Sequence, residues 1–346
     1  MLFAQQPEPP EQVFRATVNV VVAPVTVTDR DGNYITDLKP SNFRLLDNEK
    51  PQDIKVDVSF IPISLVVAIQ SNRDTESILP KVQKIGSLLK GMVTGEQGEV
   101  AIIAFDHRIQ LLQDFTTDGD LISQALKKLK PGSTSSRMID ATTESIRMLA
   151  RRPLNRRRVV LLISETRDRS SENKTREALT VAQLQNVLIY TVNINRLMTT
   201  FNTKPMAPRP DPMPPGARPV PGGGPPTPEA TRMSSGNMSN SVSFLPLFVE
   251  IFRQAKSVFV DNPAEVFTQY TGGREYSFVS ERDLERAVQN VGVDLHSQYI
   301  LSYNPNNKLE GGFHEIQVQV LDATGRPRRD IKSLTRPGYW LAGVPD

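Results

Sequence analysis

Continuous apolar runs alternate with helix-period segments through the middle of the chain. The runs are rich in branched residues and long enough for strands buried on both faces: Leu65–Ile69, Val100–Phe105, Val159–Ile163 and Val187–Val192. Between the first two runs, Ile78, Val82, Ile85 and Leu89 recur at helical spacing. This alternation predicts an α/β fold, in which a doubly wound, mostly parallel sheet is covered by helices on both faces.

The two ends of the chain have the pattern of short β-strands. Residues 14–60 contain β-branched runs separated by turn signals such as Asp31-Gly32, and residues 297–346 contain runs such as His314–Val320. Neither segment is large enough to form a stable sheet alone. We therefore expect both segments to form one small antiparallel β-module that flanks an α/β domain spanning residues 61–296.

Two stretches lack any regular pattern. Residues 203–241 are rich in Pro, Gly and Ser, which predicts an exposed or disordered insertion in the α/β domain. Residues 1–13 include Leu2–Gln6, which is typical of the end of a secretory signal around its cleavage point. We therefore expect an exported, periplasmic or extracellular protein, although an ordinary disordered terminus would give the same residues.

The composition of the chain limits the classes of partner and of site that we expect. The net charge is only +3, so the chain is not expected to bind nucleic acid. The local basic run Arg151–Arg158 is read as a solvated loop between a helix and a strand, with a patch for an anionic partner as the alternative. The absence of cysteine excludes disulfides, thiol catalysis and cysteine-based zinc sites. No stretch approaches the roughly 18 apolar residues of a membrane span, so none is predicted.

Several short segments occur in an order and spacing that are informative together. They are Val25–Gly32, Ile103–Phe105, Phe115–Asp118, Gly132 to Ala141, Leu162–Asp168, Tyr270–Gly273 and Gln298–Tyr303. In this order they resemble the von Willebrand factor A-related domains of bacterial exported proteins. The resemblance implies a doubly wound sheet, a ligand-binding role in adhesion or complex assembly, and a divalent-cation site at the carboxyl ends of the strands.

The residues at that implied cation site depart from the family pattern. The family's first loop, Asp-x-Ser-x-Ser, matches residues 70–74 here, so its Asp falls on Gln70 and its two serines fall on Asn72 and Asp74. Gln70 offers an amide oxygen without charge. Arg73 brings a positive charge into the same loop, which disfavours a metal.

The other two loops of the implied site are closer to the pattern. The family Thr falls on Ser136, and its last Asp falls on Glu165, which is longer by one methylene. Mg²⁺ requires octahedral oxygen ligation, for which the candidate ligands are Ser71, Asp74, Ser136 and Glu165. We therefore expect a degenerate site, no required cofactor, and weak or absent Mg²⁺ binding.

Two function classes remain. The first is a non-enzymatic protein-binding, scaffold or adhesion module of the cell envelope, which recognises a protein partner through the loop face of the α/β domain. The residues expected on this face are Gln70, Ser71, Asn72, Arg73, Asp74, Ser136, Glu165 and Asp168. The alternative is a metal-dependent hydrolase that uses Asp74, Glu165 and Asp168. The absence of a base–nucleophile or phosphate-binding motif favours the binding module.

Overall fold

The computed structural model describes residues 20–57, 61–92, 98–194, 262–278, 280–310 and 312–341. Residues 1–13 and the predicted insertion 203–241 lie outside these ranges. The predictions for those stretches therefore stay predictions.

A six-stranded sheet forms the centre of the described α/β part. Its strands are β5 (Ile63–Gln70), β6 (Glu99–Phe105), β7 (Ile109–Thr116), β8 (Arg157–Ser164), β9 (Val187–Ile194) and β10 (Glu275–Phe278). They lie in the order β10-β9-β8-β5-β6-β7, and all are parallel except β7, which is antiparallel to β6. The predicted mostly parallel sheet is thus confirmed, with β5 buried along its whole length at the centre.

Helices cover both faces of this sheet. They are α1 (Leu79–Val82), α2 (Gly86–Met92), α3 (Gly119–Lys127), α4 (Met138–Ala150), α5 (Thr175–Leu184), α6 (Pro263–Thr271) and α7 (Glu281–Ser297). Leu65, Val67 and Ile69 of β5 pack with α1, α2, α3 and α7. Val66 and Ala68, which point the opposite way, pack with α4, α5 and α6. This two-sided burial explains why the strand has a continuous apolar sequence.

The terminal segments form a β-sandwich. Its described strands are β1 (Val21–Asp29), β2 (Phe43–Asp47), β3 (Lys50–Pro51), β4 (Ile54–Asp57), β11 (Tyr299–Tyr303), β12 (Gly312–Val320), β13 (Ile331–Leu334) and β14 (Gly338–Leu341). They make two antiparallel sheets in the described part, ordered β13-β1-β11-β4 and β14-β12-β2-β3. Each sheet combines strands from both ends of the chain, and the two sheets share one apolar core. The predicted β-module is therefore confirmed.

The interpretation of the basic run Arg151–Arg158 as a solvated loop is wrong for four of its five arginines, of which Arg151 alone is exposed. Arg152 makes two hydrogen bonds of 2.7 and 2.6 Å to the Glu99 carboxylate, and Arg156 lies 3.2 Å from it. Arg158 is buried and donates to the carbonyl of Arg152 at 2.7 Å. Arg157 donates to the Leu295 carbonyl and to the Gln298 side chain. These contacts give the four arginines a structural role at the start of β8.

Candidate functional site

The predicted site residues lie together at the carboxyl edge of the parallel strands. Gln70 ends β5, and Glu165 directly follows β8. The amide of Gly132 donates to the Ser71 carbonyl at 2.7 Å, and the amide of Arg73 donates to the Ser133 carbonyl at 2.8 Å. Loops 71–78, 132–137 and 165–174, the first, second and third loops of the implied site, are therefore joined with loop 106–108 into one surface, which we call the loop face.

Gln70 connects the first and third of these loops. Its side chain is buried, its Oε1 accepts from the Glu165 amide at 2.9 Å, and its Nε2 donates to Asn72 Oδ1 at 3.0 Å. A carboxylate at this position could not donate the second hydrogen bond. In the described structure, the buried Nδ2 of Asn72 and Oγ of Ser136 have no hydrogen-bond partner.

Arg169 brings a positive charge to the carboxylates of the site. One of its guanidinium nitrogens lies 2.7 Å from Asp74 Oδ2, and the other lies 3.5 Å from Glu165 Oε2. Sequence reasoning expected the opposing charge to come from Arg73, whose side chain is exposed instead. Arg169 was missed, although its position four residues after Glu165 in an arginine-rich loop was a signal that could have found it.

The candidate ligands do not fit a divalent cation in this arrangement. Asp74 and Glu165 already face a guanidinium, and its charge opposes that of a metal ion. Ser71 Oγ points to the Phe105 carbonyl at 3.4 Å, which leaves Ser136 Oγ as the hydroxyl without a partner among the described residues. Within the described ranges, no three His, Cys, Asp or Glu side chains are grouped to hold a metal.

Asp168 has a structural role in the third loop. Its carboxylate accepts from the amide of Ile139 at 3.1 Å, in the first turn of α4. It also accepts from the Ser171 amide at 3.0 Å and the Ser171 hydroxyl at 2.6 Å. The bond from Ile139 fastens the loop to the start of the helix, where a negative charge is favourable, and the two bonds from Ser171 hold the loop's own fold.

Two buried carboxylates that were not predicted as site residues reinforce the loops. Asp140 accepts from Arg137 Nε at 2.6 Å and from the amides of Glu172 and Asn173 at 3.0 and 2.9 Å. Burial opposes its charge, but these hydrogen bonds outweigh burial, so the pKa of Asp140 is lowered. Its place in α4, facing the third loop, could not be deduced from spacing alone.

Asp106 has the equivalent role in the loop after β6. It accepts from the amides of Ser133 and Arg108 at 2.9 and 2.8 Å, and from His107 Nδ1 at 2.9 Å. Burial again opposes the charge, but the hydrogen bonds prevail and the pKa of Asp106 is lowered. A Cβ on Gly132 would lie 2.2 Å from Asp106 Oδ2, so glycine is needed for this close approach.

Most of the residues predicted for the loop face are buried, and its surface is formed by other side chains. Gln70, Ser71, Asn72, Ser136 and Glu165 are buried, so they support the face and do not form its surface. The exposed side chains of the joined loops are mainly basic and include Arg73, His107, Arg108, Arg167 and Arg169. Glu76 and Glu172 are exposed acidic residues of the same region. The other carboxylates of these loops, described above, are buried or are held in hydrogen bonds or ion pairs.

Comparison with known proteins gives likenesses of fold only. No protein-family model and no curated protein matches the chain. BatB from Bacteroides thetaiotaomicron is 15% identical with a TM-score of 0.32, covering 38% of this chain and 66% of that one. The vWF domain of the type V pili tip protein Mfa5 from Porphyromonas gingivalis is 21% identical with a TM-score of 0.27, covering 32% and 40%. An aerotolerance-related membrane protein from Bacteroides fragilis is 12% identical with a TM-score of 0.38, covering 67% and 98%.

The chain thus spans less than two thirds of the length of BatB and of the Mfa5 domain. The parallel strands, antiparallel edge strand, two helical layers and loop face at the carboxyl edge give the α/β part the doubly wound architecture expected for a von Willebrand factor A-like fold.

Proposed function

We propose that this chain is a non-enzymatic protein-binding module of the cell envelope, which recognises an acidic segment of a partner through its loop face. The observation that carries the proposal is that the basic side chains of the loops are exposed while the carboxylates beneath them are buried. Arg73, Arg108 and Arg167 are exposed, whereas Asp106 and Asp140 are buried and hydrogen-bonded to loop amides. A surface fixed in this way loses little conformational freedom on binding.

Arg169 supplies the positive charge that a metal ion supplies in the resembled family. Its guanidinium is held by Asp74 and Glu165 but keeps 38% of its side-chain surface exposed. A guanidinium binds carboxylates through paired, charge-assisted hydrogen bonds. Recognition of a partner carboxylate at this face would therefore need no divalent cation.

Hydrolysis by Asp74, Glu165 and Asp168 is the less favoured function. A general base needs a carboxylate oxygen that can reach a substrate or a water molecule. Asp74 is paired with Arg169, Glu165 is 1% exposed, and Asp168 accepts three hydrogen bonds from Ile139 and Ser171. These engagements favour a structural role for all three carboxylates.

The proposed location in the cell envelope, outside the cytoplasm, rests on the sequence of the first residues. Leu2–Gln6 have the composition of the end of a secretory signal. A separate finding is that none of the helices in the described ranges combines the length and the apolar character needed to span a membrane.

The binding proposal is tested by capture from envelope extract followed by chemical cross-linking. The test variant carries Arg73→Glu and Arg167→Glu. The matched control carries Arg326→Glu and Arg329→Glu, which make the same charge change at exposed positions of the β-sandwich. We expect the loop variant to lose the cross-linked partner and the control to retain it, with no effect of EDTA. Loss of the partner on adding EDTA, or equal capture by both variants, would contradict the proposal.

The metal is tested directly by calorimetric titration with Mg²⁺ and Mn²⁺. We expect no binding in the native chain, and detectable binding once Arg169→Ser and Gln70→Asp together remove the guanidinium beside Asp74 and Glu165 and restore a carboxylate. Arg329→Ser with Gln70→Asp is the matched control. Micromolar binding to the native chain that is lost in Glu165→Ala would show that the site is a working metal site.

A further inference from the structure

A second concave site lies at the opposite edge of the parallel strands from the loop face. A cavity of about 290 Å³ separates the amino ends of β8 and β9 from the β-sandwich. The apolar part of its wall is formed by Val22, Pro24, Leu188 and Ile300. Leu154 also lines the cavity and is 90% exposed. The volume is at the lower end of the range for small-molecule sites, about 300–1,000 Å³. This site is independent of the function proposed for the loop face.

Arg336 is the unusual residue of this cavity. It lies between β13 and β14, is 3% exposed, and its buried Nε has no hydrogen-bond partner. Within the described ranges its side chain makes no ion pair, and its guanidinium carbon lies 5.6 Å from the centre of the Tyr339 ring. Burial lowers the pKa of Arg336 to about 10, so the guanidinium is still charged at neutral pH.

Arg157 and Arg158 add to the positive charge of the cavity. Both line it, and both donate mainly to neutral groups: Arg157 to Leu295 and Gln298, and Arg158 to backbone carbonyls and Gln185. The Nε atom of each is buried without a hydrogen-bond partner in the described structure. Asp294 also acts electrostatically on Arg157, so part of that charge is offset.

The remaining charges of the cavity do not balance these arginines. Arg156 also lines it but lies 3.2 Å from the Glu99 carboxylate, which it shares with Arg152, so its charge is partly compensated. Asp57 is the single carboxylate among the described lining residues. Three further guanidinium groups therefore face one lining carboxylate. A buried charge without an opposite charge is strongly unfavourable, and an anion from solution would remove that cost.

We propose that this cavity binds a small organic carboxylate with an apolar body. The carboxylate of the ligand lies against Arg336 and accepts hydrogen bonds from its guanidinium. The planar guanidinium is suited to this because it can donate two parallel hydrogen bonds to one carboxylate. The hydrocarbon part of the ligand lies against Val22, Leu188 and Ile300. The ligand then contacts both the α/β domain and the β-sandwich, so binding stabilises the junction between them.

The probe for this site is hexanoate, added to the full chain in thermal unfolding. Hexan-1-ol has the same apolar body without the charge, and inorganic phosphate has the charge without the apolar body. We expect hexanoate to raise Tm by about 2 °C at tenfold its dissociation constant, and the other two to leave Tm unchanged. An equal shift with hexan-1-ol or with phosphate would overturn the assignment of the ligand class.

Arg336→Met tests the residue, and Arg329→Met is the matched control at an exposed position. We expect Arg336→Met to weaken hexanoate binding at least tenfold and to raise Tm without ligand, because it removes an uncompensated buried charge. The control should bind as the native chain does. Retained binding in Arg336→Met would refute the site.

Hydrogen exchange on the native chain keeps the test independent of whether a variant folds. Hexanoate should slow exchange of amides in residues 334–339 and at the starts of β8 and β9, and leave the loop face unchanged. If hexanoate changes neither Tm nor exchange in these segments of the native chain, the cavity is not a carboxylate site.

Discussion

Asp294 links the α/β domain to the β-sandwich through one buried carboxylate. It lies in α7 with no exposed surface and accepts from the Tyr190 hydroxyl of β9 at 2.6 Å. It also accepts from the Thr26 hydroxyl of β1 at 3.1 Å and from Gln298 Nε2 at 3.1 Å. Burial and the neighbouring carboxylate raise the pKa of Tyr190 well above its usual value, so its hydroxyl remains a donor.

Asp294→Ala should therefore destabilise both parts of the protein together. The substitution leaves the buried Tyr190 and Thr26 hydroxyls without their acceptor, at about 1–3 kcal/mol for each such group, whereas Gln298 Nε2 still donates to these two hydroxyls. Arg274 Nε, 3.4 Å from the same carboxylate, loses its charged neighbour as well. These losses are not additive, and removing one partner of a buried charged cluster costs about 3–5 kcal/mol. We expect a loss of about 4 kcal/mol in the free energy of unfolding.

A double-mutant cycle in urea unfolding measures the link. Tyr190→Phe should cost about 1.5–3 kcal/mol, as expected for a hydrogen bond to a charged group. Combined with Thr26→Val, it should show a coupling of about 0.5–3 kcal/mol, because both hydroxyls share one acceptor. Thr28→Val, two residues along β1 and half-buried, is the matched control. Additivity within about 0.3 kcal/mol, or a loss below about 1 kcal/mol for Asp294→Ala, would refute the reasoning.

Three further changes test other parts of the structure. Gly132→Ala should cost about 1–3 kcal/mol and speed exchange in residues 132–137, because its Cβ would displace the Asp106 carboxylate; unchanged exchange would contradict this. Ser280→Ala removes the hydroxyl that accepts from the Asp283 amide at 3.2 Å, and should cost about 1 kcal/mol in thermal unfolding. Burial opposes the charge of Asp47, but hydrogen bonds, chiefly from His314, leave its pKa lowered. Asp47 therefore stabilises the fold at neutral pH, and that contribution is lost as the pH falls below about 4. Urea unfolding at several pH values should show that Asp47→Asn makes the free energy of unfolding fall less steeply in this acid range.

The sequence predicts the four central parallel strands, β5, β6, β8 and β9, well because they are buried on both faces. The apolar run of β5 needs no knowledge of partners to be recognised as central. The edge strand β7 was not predicted for the converse reason. Its residues are half-buried or exposed and include Gln110, Gln113 and Asp114, so no apolar run marks it. An edge strand is recognised through its pairing with β6, which is a property of the fold.

The position of the loop face was likewise predictable, since parallel strands end at one edge of the sheet. The sequence did not show which arginine faces the carboxylates of this site. Arg73 and Arg169 both lie in loops at that edge, and the backbone path decides which of them faces Asp74 and Glu165. The Arg73 amide is bound to the Ser133 carbonyl and Arg73 begins a 3₁₀ turn, Arg73–Thr75, with its side chain exposed. Arg169, on the third loop, faces Asp74 and Glu165.

The basic run before β8 shows the same dependence on strand order at the other edge of the sheet. Ser64 of β5 pairs with Glu99 on one side and with Arg158 on the other. That register brings the Glu99 carboxylate to within reach of Arg152 and Arg156, more than fifty positions later in the chain. Without the register, five arginines near one proline read as a solvated loop. With it, one carboxylate pairs with two of them, and Arg157 and Arg158 are left facing the cavity, where Asp294 offsets only part of the Arg157 charge.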